Sequence, residues 1–74
     1  MTISELVTEY EERTKAIFKV YDIMMESVSV NEAGEASAEE TLQAIDFCYA
    51  MEELNNKWFK EQMQALMKGD SHEG

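Results

Sequence analysis

Apolar residues in the first part of the chain fall at Ile3, Val7, Tyr10, Ile17, Tyr21, Met24 and Val28, with Thr14 keeping the register between Tyr10 and Ile17. Steps that alternate between four and three make a heptad seam, which predicts an amphipathic helix over residues 3–30 with one packing stripe. Leu6, Phe18, Val20 and Met25 flank the stripe. Glu5, Glu9, Glu12, Lys15, Lys19, Asp22 and Glu26 take the far side.

A second helix is predicted over residues 38–68, and its pattern differs. One apolar row holds Leu42, Ile45, Tyr49, Phe59, Met63 and Leu66, with Cys48 and Met67 beside it. Another, more than a third of a turn away, holds Ala44, Phe47, Met51, Leu54, Trp58 and Ala65. At about 100° per residue these rows span well over half the circumference, more than one neighbouring helix can cover.

The boundaries carry their own signals. Thr2-Ile3-Ser4-Glu5 and Ser37-Ala38-Glu39-Glu40 each place a hydroxyl three residues before a glutamate, the spacing of a capping box, and Met1 can pack on Leu6 across the first turn. Lys68-Gly69 offers a cation and a glycine at the second helix's end. There is no proline, and Gly34 lies in the middle of a short connection over residues 31–37. The helices would be matched at roughly 42 and 46 Å. The expected fold is therefore all-α: one helical-hairpin domain over residues 1–68, followed by a flexible tail over 69–74.

Two helices enclose no closed core, so the hairpin is expected to associate, most simply with a second copy in a four-helix bundle. The partner or dimer interface is assigned to Phe47, Met51, Leu54, Trp58 and Met63. Asn55 and Asn56 interrupt the apolar arc at the height of Arg13 and Thr14, and a polar layer there would fix register. Changing Asn56 to Leu is expected to raise stability while loosening the oligomeric state.

Charge adds an orientation. The 74 residues carry 6 Lys+Arg against 16 Asp+Glu, a formal net charge of −10. No base lies between Lys19 and Lys57, an interval that holds Asp22, Glu26, Glu32, Glu35, Glu39, Glu40, Asp46, Glu52 and Glu53. Within one hairpin, Lys57, Lys60 and Lys68 would lie near Glu5, Glu9, Glu11 and Glu12. Between two hairpins, an antiparallel arrangement separates the acidic tips and sets each near the other's lysines.

Candidate chemistry changes the picture little. With one Cys and one His the chain offers neither a disulfide nor a zinc ligand set. His72 lies in the tail, and Cys48, between Phe47 and Tyr49, reads as a small buried hydrophobe. Neither Glu-x-x-His nor Glu-x-x-Asp occurs, so the paired glutamates lack the companions used by helical metal sites, and Glu52 is expected to reach Arg13 or Lys57 instead. No glycine-rich phosphate loop is present. No enzyme activity, cofactor or metal is expected. Six dispersed bases exclude direct nucleic-acid binding, and acidic polar faces exclude an anionic membrane surface. The opening residues lack a secretory pattern, which points to a cytoplasmic protein.

Protein binding remains. In one reading the chain is a small adaptor, chaperone or regulator acting as a helical dimer, its Met-rich second helix offering an adaptable groove. In the other, the surface made by Asp22, Glu26, Glu32, Glu35, Glu39, Glu40, Asp46 and Glu53 imitates a phosphate ladder and occupies a basic nucleic-acid-binding protein. In size and charge the chain resembles small acidic inhibitors encoded by phages and mobile elements.

Overall fold

The computed structural model describes the backbone of residues 1–73 and the side chains of residues 1–69. It is all-helical, with α1 over Ile3–Glu26 and α2 over Ala38–Glu73, packed as an antiparallel hairpin. The capping box at Thr2 forms in full: Thr2 Oγ1 accepts from the Glu5 amide at 3.1 Å, and Glu5 Oε1 accepts from the Thr2 amide at 3.2 Å. These bonds to the ionised form hold the Glu5 carboxyl below its usual range.

Only half of the second box forms. Ser37 Oγ accepts from the Glu40 amide at 3.3 Å, but the Glu40 carboxylate reaches across the connection to the Ser29 amide at 2.6 Å and the Ser29 hydroxyl at 3.2 Å. Glu40 thus ties the start of α2 to the chain leaving α1.

The helix expected to reach residue 30 stops at Glu26, one turn early. Ser27-Val28-Ser29-Val30 follows, an alternation of β-branched and hydroxyl residues that favours extended chain over helix. Ser27 closes the helix by donating its hydroxyl to the Ile23 carbonyl at 3.0 Å. Val30 and Ala36 then form an antiparallel bridge around a tight turn. Asn31 Oδ1 accepts from the Ala33 and Glu35 amides, both at 2.9 Å, and Gly34 takes a φ of +81°, the left-handed region that costs a glycine nothing.

At the other end α2 continues past the expected boundary at residue 68, through Gly69 to Glu73. Gly69 does not adopt a positive φ, so it passes as an ordinary helical residue. A glycine after a lysine permits a left-handed stop without compelling one, and no proline follows. The side chains beyond Gly69, that of His72 included, lie outside the described residues.

The hairpin is one helix layer deep, with extents of 66 × 17 × 9 Å. Its radius of gyration is 17.8 Å, against about 11 Å for a compact chain of this length. The accessible surface is 5877 Å², about 1,200 Å² more than the roughly 4,700 Å² of a compact monomer of this mass. Among the described residues the core is Leu6, Ala44 and Cys48, with Asn55 the one buried polar residue.

Candidate interaction surface

Ala44, Cys48 and Asn55 define the line along which α2 meets α1. This line runs between the two apolar rows of α2. Both rows are therefore left half-covered, one on each face of the plate.

On the first face, Val7, Tyr10, Glu11, Asn56, Phe59, Lys60 and Met63 line a groove. Further toward the turn, Phe18, Tyr21, Ile45, Cys48, Tyr49 and Glu52 line another. The Tyr10 and Phe59 rings lie 4.6 Å apart at 38°, a separation at which offset aromatic pairs attract. Tyr49 is 64% exposed. On the second face, Arg13, Ala16, Ile17, Met51, Leu54 and Asn55 line a cleft. Leu54 is 58% exposed there and Phe47 37%, while Met51 and Trp58 are half-buried.

Of the residues assigned to an interface, Phe47, Met51, Leu54 and Trp58 thus share a face. Met63 is on the opposite one, so the five do not form a single patch. The first-face residues Val7 and Phe18 of α1 and Tyr49 and Phe59 of α2 were not assigned to an interface. The visible signal was the full width of the α2 arc.

A polar layer crosses the seam midway, as the matching heights of Asn55, Asn56, Arg13 and Thr14 implied. Asn55 Nδ2 donates to Thr14 Oγ1 at 3.1 Å, and that hydroxyl donates onward to the Tyr10 carbonyl at 2.9 Å. The Tyr10 hydroxyl donates to Asn56 Oδ1. Arg13 sits with its guanidinium carbon 3.7 Å from the Trp58 ring centroid and pairs with Glu9 at 3.1 Å. That is the sole ion pair among the described residues, so Glu52 reaches neither Arg13 nor Lys57, and the lysines of α2 do not pair with the glutamates of α1. The buried member of the layer is Asn55, and its Oδ1 accepts no hydrogen bond. Asn56 is exposed.

No protein-family model, curated protein or solved structure matches the chain.

The acidic residues divide along the plate. Asp22, Glu26, Glu32, Glu35, Glu39, Asp46 and Glu53 are exposed, while Glu40 is half-buried and bound to Ser29. At about 100° per residue, Asp22 and Glu26 project from the outer edge of α1, and Asp46 and Glu53 from the opposite edge on α2. Among the described residues no group of three or more His, Cys, Asp or Glu could hold a metal ion. Burial pushes the Cys48 thiol up, and Glu52 adds to the shift, so the thiol is held in its unreactive protonated form. Among the described residues no helix is long and apolar enough to cross a membrane.

Proposed function

We propose that this chain is a small acidic protein–protein interaction module, an adaptor, chaperone or regulator that acts as a helical dimer and binds without catalysis. The observation that carries the reading is the single-layer plate, with Leu6 the one large fully buried side chain among the described residues and apolar rows open on both faces. A stable domain needs two packed layers around its core, and a second layer here has to come from another chain. Grooves lined by Phe, Tyr, Leu and Met are the surfaces on which apolar helix partners dock.

A second reading, inhibition of a basic nucleic-acid-binding protein by an acidic surface, draws support from the seven exposed carboxylates of that surface, which make no ion pair among the described residues. Asp22 and Glu26 on one edge, Asp46 and Glu53 on the other, and Glu32 and Glu35 in the turn do not make one continuous face, which favours the apolar reading.

The two are separated by capturing partners with the intact chain, with Glu32, Glu35, Glu39 and Glu40 changed to Gln, and with Leu54 and Tyr49 changed to Glu. Retention at high salt, together with loss only in the Leu54/Tyr49 variant, supports the apolar faces. Loss at high salt and in the neutralised variant supports the acidic surface and overturns the first reading.

A further inference from the structure

We infer that the second layer is another copy of this chain, seated antiparallel on the face that carries Phe47, Met51, Leu54 and Trp58, with the twofold axis passing at the level of residues 51–55. The inference rests on the dimeric reading above and specifies its face, direction and register.

The face follows from charge at the centre of the plate. The packed part of α2 runs from Ala38 to about residue 66, so its midpoint lies among residues 51–55, and a twofold joining antiparallel copies brings midpoint to midpoint. On the first face that midpoint carries half-buried Glu52. A dimer there would press two carboxylates together as they lose water, a repulsion that disfavours association. On the second face the midpoint is Met51, Leu54 and Asn55, all uncharged, and Arg13 nearby is already paired with Glu9 and stacked on Trp58.

Direction follows from the ends. The half of the hairpin around the turn has no base between Lys19 and Lys57. Parallel copies would lay acid against acid, while antiparallel copies set each turn beside the Lys57, Lys60 and Lys68 end of the other.

Register follows from the same midpoint: with the twofold at the level of residues 51–55, Met51 and Leu54 of each copy meet those of the other at the centre of the face. The area suffices as well. A plate 17 Å wide and about 42 Å long over the packed residues presents about 700 Å² per copy, which falls within the range of specific interfaces.

The test combines distances with charge swaps in the full chain. A spin label on Ala33→Cys, attached under conditions where mass spectrometry shows one label per chain, marks the turn. Antiparallel copies place the two labels about 50 Å apart, and parallel copies place them within about 25 Å. Leu54→Lys is expected to weaken association by more than about 100-fold through like-charge contact, with an equal mixture of Leu54→Lys and Leu54→Glu chains recovering it, while Tyr49→Lys shifts it less than about threefold.

A dimer with the short label distance, or one broken by Tyr49→Lys and indifferent to Leu54→Lys, overturns this arrangement and leaves the dimeric reading standing. A chain that shows no intermolecular distance at any concentration overturns both.

Discussion

Asn55→Leu isolates the energetics of the polar layer. In the folded chain the Asn55 amide is 7% exposed, donates one hydrogen bond of 3.1 Å to Thr14, and leaves its oxygen unpaired. An unsatisfied buried acceptor costs about 1–3 kcal/mol, and the bond to Thr14 returns about 0.5–1.5 kcal/mol. Leucine of similar size removes both and adds apolar burial worth up to about 1.5–3 kcal/mol. Thr14 is not orphaned by the change, because its hydroxyl still donates to the Tyr10 carbonyl.

The balance is a gain of about 1–3 kcal/mol per chain, which at roughly 4–8 °C per kcal/mol for a domain of this size raises Tm by 4 °C or more. Asn56→Leu is the contrast. Asn56 is exposed and its loss costs Tyr10 only a solvent-replaceable acceptor, so the expected change is within about 0.5 kcal/mol. Thermal and urea melts at one fixed chain concentration measure both. A lower Tm for Asn55→Leu, or an equal gain for Asn56→Leu, would refute the assignment of the cost to the Asn55 oxygen.

Three further outcomes are expected. The Cys48 thiol is buried and that burial raises its pKa, so Ellman's reagent at pH 8 should modify it slowly in the native protein and rapidly in urea. The unfolded thiol ionises first, so the stability this residue contributes is present below about pH 9 and falls as pH rises further, which melts of wild type and Cys48→Ala from pH 7 to 10.5 would register as a diverging difference. Glu40→Gln weakens the contact to Ser29 and should cost about 0.5–2 kcal/mol, with amide exchange accelerating at Ser29 more than in the middle of α1. Arg13→Ala removes the guanidinium over Trp58 and the pair with Glu9, for a loss of about 0.5–1.5 kcal/mol and a rise in acrylamide quenching of Trp58; unchanged quenching would count against the stacking.

The sequence signals that held were those set by near neighbours. Thr2 and Glu5 are three residues apart, and that spacing alone decides whether their reciprocal bonds can form. Heptad steps likewise located α1 and the height at which Thr14 meets Asn55.

Signals that depend on distant partners were misleading. Glu40 has the capping-box spacing from Ser37, yet its carboxylate is taken by Ser29 across the connection. Arg13 turns to Glu9 and Trp58 and not to Glu52. Periodicity shows how wide the apolar arc of α2 is, but the position of α1 over that arc depends on the fit of small residues. Ala44 and Cys48 admit the close approach of α1, drawing it onto the boundary between the rows. This moved Met63 and Phe47 to opposite faces. Helix ends were the other weak point, since the Ser-Val-Ser-Val run after Glu26 keeps the apolar spacing of a helix while its residue types favour extended chain.

Sedimentation equilibrium of the intact chain from about 1 to 100 µM, with helicity followed on the same samples, tests most directly the claim that this plate requires a second layer. The account predicts a mass twice that of the 8.5 kDa chain and helicity that falls together with the dimer on dilution. A mass of one chain throughout, with helicity and a cooperative melt independent of concentration, would contradict it.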